Sequence, residues 1–334
     1  MSDPSSPSFS EPVSAGSQAT LSPDDPTSHS EGMPPRHVGS MADIQKNGSV
    51  EGGLLTLVAT PIGNLGDLSP RAVNAMREAD LVLCEDTRVT ARLFSEFNIQ
   101  ARAEPLHEHN ERQRVPGLIA RLEEGQKIAL VSDAGMPLLS DPGYRLVRAA
   151  IKAGVPVTAV PGPNAALTAL VLSGLPPHPY LFVGFPPPRS AARRESFAVL
   201  RAAERAGLRA TLIWHEAPHR LAEMLADLAV VFGDARPTVV ARELTKRFEE
   251  VRRDTAAALA TLYEQAPPRG EITVLVGPPG EKEDADPADL DRQLEAALAT
   301  SSVKDAATLV ATTVGLPRKV VYARALELSA ARKK

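Results

Sequence analysis

The clearest structural signal in this sequence is residues 127–143, KIALVSDAGMPLLSDPG. The stretch begins with a short apolar run from Ile128 to Val131, which predicts a buried strand. The remainder holds two Gly, two Pro and two Asp residues, a composition typical of a loop, and the pattern after Gly143 predicts a helix. A strand that ends in such a loop and then leads into a helix is where open α/β sheets bind ligands.

The same arrangement recurs at two other strand ends. Loops with Gly and Pro at residues 60–67 and 161–164 follow apolar runs at 54–58 and 155–160. Strands that alternate with helices indicate a mostly parallel sheet, whose carboxyl ends share one edge. We therefore expect these two loops and residues 132–143 to line one crevice. Well-made strand-to-helix connections without a ligand are the alternative, because Gly/Pro/Asp loops are common.

Charge is distributed unevenly along the 334 residues. Residues 1–53 hold seven of the 41 acidic and two of the 37 basic side chains, so the rest carries 34 acidic and 35 basic residues. The net charge of −4 therefore does not argue against a nucleic-acid partner. Residues 1–53 are rich in Ser, Pro and Gly and are predicted to be a disordered tail.

Composition restricts the class of protein further. No apolar run approaches the roughly 18 residues that a membrane span needs, so we expect no membrane association and a cytoplasmic location. Cys84 is the only cysteine, which excludes an intrachain disulfide and a cysteine-based zinc site. His107 and His109 lie two residues apart without a third ligand at a recognisable spacing, and we predict no metal site there.

The chain after residue 53 divides into predicted parts. These are an N-terminal α/β lobe with the loops at 54–173, a second α/β lobe at 174–278, a linker at 279–288 and a small helical domain at 289–334.

The helical domain has the pattern of a helix-turn-helix. Predicted helices at Val303–Val314 and Arg318–Leu328 flank Gly315-Leu316-Pro317. Residues 300–334 hold seven Lys or Arg and two Asp or Glu. On charge alone this part is either a solvated helical cap or a nucleic-acid contact.

Seven short motifs occur in order, and each alone is a weak signal. They lie at residues 59–67, 85–88, 107–111, 132–143, 161–163, 218–220 and 241–246. Together they closely resemble the ribosomal RNA small subunit methyltransferase I family, a branch of the tetrapyrrole methylase superfamily, from about residue 54 to the C terminus. Two departures are Met136, where the family usually has Thr, and Trp214-His215-Glu216, where an aromatic-Glu-Ser type sequence is common.

This resemblance implies both a fold and a function. The implied fold is the two-lobed α/β fold of class III methyltransferases with a small C-terminal helical domain. The implied activity is S-adenosylmethionine-dependent 2′-O-methylation of a cytidine ribose in the decoding region of 16S rRNA, and a homodimer is usual. Two alternatives stay open: a methylase of a tetrapyrrole-like small molecule, and a non-catalytic ribosome-binding protein.

The loops supply the predicted cofactor site. Gly residues let the backbone approach a ligand closely, and methyl transfer needs donor and acceptor held in line. The predicted cofactor-binding residues are Pro61, Gly63, Asn64, Asp133, Ala134, Gly135, Pro137 and Pro163.

Ionisable groups beside these loops are the predicted catalytic residues. Glu85 and Asp86 accept protons when ionised, and His109 is the second choice because an imidazole titrates near neutral pH. The alternative for Asp86 is that it only caps the following helix.

Basic side chains are predicted to hold RNA phosphates. They are Arg88, Arg189, Arg193, Arg194, Lys246, Arg247, Lys304, Arg318 and Lys319.

Overall fold

The structure, a computed structural model, describes residues 52–280, 287–299, 301–314 and 318–331. The predicted disordered tail at 1–53 therefore lies almost wholly outside the described residues. The predicted turn at 315–317 and most of the linker at 279–288 also fall outside them.

The first sheet has five parallel strands in the order β3-β2-β4-β1-β5. The strands are β1 Leu54–Val58, β2 Leu81–Cys84, β3 Ala103–Pro105, β4 Lys127–Val131 and β5 Val157–Val160. Because β4 and β1 lie side by side at the centre, their carboxyl ends place the loops at 132–143 and 60–67 next to each other. The predicted parallel sheet is confirmed.

Helices cover both faces of this sheet. They are α1 Pro70–Arg77, α2 Thr87–Glu96, α3 Glu108–Glu123 and α4 Tyr144–Lys152. One face of the sheet buries Val82 and Val131 with residues of α1 and α2, and the other buries Leu83 and Leu130 with residues of α3 and α4. Strands covered on both sides read as continuous apolar runs, which is why β2 and β4 were recognisable.

The second sheet has the order β6-β7-β10-β8-β9. Its strands are β6 Tyr180–Gly184, β7 Thr211–Glu216, β8 Pro237–Arg242, β9 Glu250–Thr255 and β10 Ile272–Val276. Only β6 and β7 are parallel, and the other pairs are antiparallel. This part is thus α/β in content, as predicted, but mixed in strand direction.

Helices pack on both faces of the second sheet as well. They are α5 Ala165–Ser173, α6 Ser190–Arg205, α7 Leu221–Phe232 and α8 Ala256–Gln265. One core surrounds Trp214 and Phe197. On the opposite face, Leu170 of α5 packs with Ile213, Leu275 and Ile62. Helix α5 follows the first sheet in the chain but is buried against the second, so it joins the two.

Three strands were not predicted from the sequence. Strand β3 is three residues long, β9 is a charged edge strand with sequence EVRRDT, and β6 lies in the Pro-rich stretch at 174–188. All three lie at sheet edges, where one side faces no partner strand and the apolar signal is weak.

Three helices follow at the C terminus: α9 Pro287–Leu298, α10 Val303–Val314 and α11 Arg318–Ala331. They share a core of their own, in which Leu294, Val310 and Val321 are buried together. Three short helices in this region agree with the sequence prediction.

Candidate active site

The three strand-end loops meet at the carboxyl edge of the first sheet, as predicted. The Thr60 N–H donates to the Gly135 carbonyl at 2.9 Å, and the Gly135 N–H donates to the Thr60 carbonyl at 3.1 Å. The Thr60 hydroxyl also donates to the Ser132 carbonyl at 3.0 Å. A Cβ placed on Gly135 would lie 3.5 Å from the Pro163 carbonyl oxygen, so all three loops converge at this glycine.

Two cavities open beside the loops. The first cavity, about 360 Å³, lies between the sheets and is lined by Ile62, Asp133, Ala134, Leu139, Ser140, Asp141, Phe185, His215, Glu216, Ala217, Pro218, Ala241, Leu244 and residues 270–273. The second cavity, about 590 Å³, is lined by Thr60, Pro61, Ile62, Gly63, Leu65, Val89, Thr90, Arg92, Leu93, Glu96, Ser132, Asp133, Ala134, Lys246 and Glu271. Their shared wall contains Ile62, Asp133, Ala134 and Glu271.

The predicted cofactor residues divide between these cavities. Asp133 and Ala134 lie in the shared wall, whereas Pro61 and Gly63 line the second cavity only. Gly135 borders a smaller cavity of about 40 Å³.

Asn64, Pro137 and Pro163 lie outside the walls of the two larger cavities. The Asn64 side-chain oxygen accepts the Gly66 N–H at 3.0 Å and caps the short helical turn at Leu65–Asp67. Asn64 therefore holds the loop in shape.

Gly63 also brings the second lobe to this loop. A Cβ at Gly63 would lie 2.4 Å from Lys246 Cγ, so the lysine stem passes directly over the glycine. The Lys246 ammonium bonds to Glu243 and Glu271, each at 2.8 Å. Lys246 thus forms ion pairs within the protein, and its contact with an RNA phosphate stays a prediction.

Asp86 caps the helix that follows it, which was the alternative to a catalytic role. It is the N-cap of α2, and its carboxylate accepts the Arg88 N–H at 2.8 Å. Hydrogen bonds from the Arg88 side chain and backbone lower the pKa of Asp86 to about 2. A carboxylate with so low a pKa is a weak proton acceptor, which argues against Asp86 as the base.

Glu85 and His109 have different surroundings. Glu85 is exposed at the end of β2, and partial burial together with the Asp133 carboxylate raises its pKa. His109 is exposed in the first turn of α3 and lines neither of the two larger cavities. The motif at 107–111 forms the N-cap and the first turn of this helix.

Other members of that motif hold neighbouring elements together. Asn110 accepts the His107 N–H at 2.9 Å. The buried Glu111 carboxylate accepts the backbone N–H groups of Arg145 at 2.8 Å and Leu146 at 3.1 Å. Helix α4 follows Gly143, which has no side chain to cap it, and Glu111 supplies this cap from α3.

The structure adds three polar residues that the sequence prediction missed. Asp141, His215 and Glu216 line the first cavity. Burial, reinforced by the Glu85 carboxylate, raises the pKa of Asp141 to about 6. Burial lowers the pKa of His215. Asp141 lies inside the motif at 132–143, and His215 and Glu216 are the last two residues of strand β7. Their position at the end of a strand was the signal in the sequence that could have identified them.

Glu216 is buried, and its two carboxylate oxygens differ. Its Oε1 accepts the Ala217 N–H at 2.7 Å and pairs with Arg220. Its Oε2 has no hydrogen-bond partner among the described residues.

Backbone strain surrounds the first cavity. Leu138, Ser140, Glu243 and Thr245 all have positive φ, between 52° and 73°. Non-glycine residues in this region cost of order 1–3 kcal/mol each and concentrate at functional sites.

One predicted RNA contact is wrong. Arg193 is completely buried, and its Nη2 lies 2.7 Å from Oδ2 of the equally buried Asp227. Arg194 bonds to the same carboxylate through Nε at 2.5 Å and is half exposed. The exposed members of the predicted set are Arg88, Arg189, Arg194, Arg247, Lys304, Arg318 and Lys319.

Within the described ranges, no group of three or more His, Cys, Asp or Glu side chains is arranged to hold a metal ion. None of the helices in these ranges is long and apolar enough to cross a membrane.

The chain is similar to known proteins in sequence and in fold. The family of Tetrapyrrole (Corrin/Porphyrin) Methylases matches residues 54–260, and the RsmI C-terminal HTH domain matches residues 284–329. The crystal structure of diphthine synthase, 16% identical in sequence, covers 67% of this chain and 90% of that chain with a TM-score of 0.51. This likeness supports the fold alone.

Curated relatives are much closer in sequence. "Ribosomal RNA small subunit methyltransferase I" of Mesorhizobium japonicum is 47% identical over 82% of this chain and 92% of its own. The protein of the same name from Micromonospora olivasterospora is also 47% identical, over 81% of this chain and 85% of its own. The chain therefore belongs to the tetrapyrrole (corrin/porphyrin) methylase family, in the group of the ribosomal RNA small subunit methyltransferase I proteins.

Proposed function

We propose that this protein transfers a methyl group from S-adenosylmethionine to the 2′-hydroxyl of a cytidine ribose in the decoding region of 16S rRNA. The observation that carries the proposal is the pair of cavities with a shared wall. A group transfer needs two ligands in contact, and the two cavities adjoin at Asp133 and Ala134, which line both. The names of the curated relatives support rRNA of the small subunit as the substrate class.

The first cavity fits the cofactor. Leu139, Phe185 and Leu244 give it apolar surface for an adenine ring, and Ser140 and Thr273 are polar residues of its lining. Glu216, with one carboxylate oxygen unpaired among the described residues, fits a ligand that brings hydrogen-bond donors. When bound, S-adenosylmethionine supplies an electrophilic methyl group on a sulfonium.

We assign Asp133 as the base that accepts the proton of the ribose hydroxyl. It follows strand β4 of the first sheet, and its ionisable side chain borders both cavities. Its Oδ1 accepts the Asp86 N–H at 3.1 Å, which fixes the carboxylate in place. Burial raises the pKa of Asp133, and a carboxylate with a raised pKa is a better general base near neutral pH. Glu85, whose pKa is also raised, stands next to it as the second candidate.

Primer extension tests this proposal. A ribose 2′-O-methyl group stops reverse transcriptase when nucleotides are scarce, so rRNA from a strain without this gene should lose one stop in the decoding region. The wild-type gene should restore the stop and Asp133→Asn should not, while the variant protein still binds the cofactor in calorimetry. An unchanged stop pattern in the deletion strain would refute the proposed substrate.

We also propose a homodimer that acts on subunits in the cytoplasm. Val171 on α5 is 76% exposed, and Tyr180 and Val183 of the edge strand β6 are 47% and 40% exposed. Apolar side chains of this size are rarely left in water together unless they meet a partner. Sedimentation at micromolar concentration should give twice the chain mass, and Val171→Asp should shift the equilibrium towards a single chain.

A further inference from the structure

The second cavity is lined by two oppositely charged side chains that have no partner among the described residues. Arg92 and Glu96 lie one turn apart on α2, and both line this cavity. Neither side chain makes a hydrogen bond or ion pair with any residue that the structure describes, and no ion pair joins them to each other. Lys246 on the opposite wall differs, because two glutamates already neutralise it.

Apolar side chains stand beside these charges. Leu65 is 45% exposed and Val89 is 38% exposed, and both line the same cavity. Enzymes that modify a nucleotide commonly turn it out of the stack and hold the base between apolar side chains, while polar groups read its edge. The second cavity supplies both kinds of surface.

We propose that the second cavity receives the target cytosine and that Arg92 and Glu96 read its Watson–Crick edge. Cytosine offers an N4 amine, which donates, beside N3 and O2, which accept. A carboxylate accepts from the amine, and a guanidinium donates to the two acceptors. Uracil has an acceptor, O4, in place of the N4 amine and a donor, N3–H, in place of the N3 acceptor. With uracil in the cavity, the Glu96 carboxylate would therefore face an acceptor. Glu96 is thus the residue that selects cytidine over uridine. This inference rests on the proposed function.

A second ligand would also satisfy this pair of charges. The methionine end of the cofactor carries an ammonium and a carboxylate, which match Glu96 and Arg92 in charge. The two assignments differ in a measurable way. If the pair holds the cofactor, its loss weakens cofactor binding; if it reads the base, its loss changes only the preference for the acceptor.

The test uses small ribosomal subunits with either cytidine or uridine at the modified position. Wild-type protein should methylate the cytidine substrate at least about tenfold more efficiently, in kcat/KM, than the uridine substrate. Glu96→Gln, whose amide both donates and accepts, should reduce this ratio several-fold, and Arg92→Gln should lower kcat/KM for both substrates. Both variants should bind S-adenosylmethionine within about twofold of wild type by calorimetry.

Matched controls come from α6. Glu195 and Arg205 are exposed, line neither of the two larger cavities, and their side chains make no hydrogen bond or ion pair with any residue that the structure describes. Glu195→Gln and Arg205→Gln should therefore change none of these quantities. An unchanged cytidine-to-uridine ratio in Glu96→Gln overturns the inference. Loss of cofactor affinity in both α2 variants assigns the pair to the cofactor and also overturns it. A wild-type protein that methylates neither substrate refutes the proposed function itself.

Discussion

Gly135 joins the loops of the cleft, and its backbone explains why a glycine is needed. Its φ is 83°, and a Cβ there would approach Ile62 Cγ2 to 3.3 Å. Gly125, in the turn after α3, has φ of 95° with nothing within 4 Å of a Cβ. We expect Gly135→Ala and Gly125→Ala each to lose about 1–2 kcal/mol of unfolding free energy in urea denaturation, because both force alanine into the left-handed region.

Only Gly135→Ala should also lose affinity for S-adenosylmethionine in calorimetry, because only that change disturbs the bonds between Thr60 and Gly135. Wild-type affinity in the Gly135 variant would show that the convergence of the loops is not needed for the cofactor.

Asp141 should make stability depend on pH. Its pKa is 3.8 in an ordinary setting and about 6 in the folded protein, so folding favours the protonated carboxyl. The stability linked to this group is complete below about pH 4 and is lost as the pH rises through 6. Asp141→Asn should therefore match wild type near pH 4 and exceed it by about 1–2 kcal/mol at pH 7.5, allowing for partial exposure. Equal differences at both pH values would contradict the raised pKa.

At the scale of single elements, helix α6 owes its position to a buried ion pair. Removing one partner of a buried pair costs about 3–5 kcal/mol, and without Arg193 the buried Asp227 carboxylate keeps only the half-exposed Arg194 as a cation among the described residues. Arg193→Ala should therefore lower the unfolding free energy by that amount, whereas Arg205→Ala on the exposed side of the same helix should change it by less than about 0.5 kcal/mol. If the Arg193→Ala protein were as stable as wild type but bound RNA more weakly, the RNA contact predicted for Arg193 from the sequence would be correct.

Elements with strong local signals could be predicted, and those without could not. Strands β1, β2 and β4 are apolar runs that end in turn residues, and Ser69-Pro70 marks the start of α1 by its capping chemistry. Strand β9 is charged and lies at an edge, so no periodicity reveals it. The direction in which Arg193 points depends on Asp227, 34 residues away, and no local pattern contains that information.

The cleft itself exists only at the scale of the whole molecule. Gly63 and Lys246 touch although they are far apart in sequence, and the shared wall draws on both sheets. Sequence motifs therefore identified the loops, but not which cavity each loop residue borders. Pro61 and Gly63 line the second cavity only, whereas Asp133 and Ala134 line both cavities.

The C-terminal helices pack around a core of their own, which allows a test by truncation. A chain that ends at residue 278 keeps both sheets, so its affinity for S-adenosylmethionine should equal that of the full chain. Its binding to the small subunit should weaken, and the dependence of binding on salt should become shallower, because exposed cations such as Lys304 and Arg318 are removed. A truncated protein that methylates subunits as well as the full chain would make these helices a structural cap only.

Mass spectrometry of the methylated rRNA shows whether one methyl group is transferred to a cytidine ribose. Purified protein is incubated with S-adenosylmethionine and small subunits from a strain without this gene, and the 16S rRNA is then digested to nucleosides. We expect one 2′-O-methylcytidine per rRNA with wild-type protein and none with Asp133→Asn. A methyl group on a base or on another nucleoside, or no transfer by a protein that binds the cofactor, would contradict it.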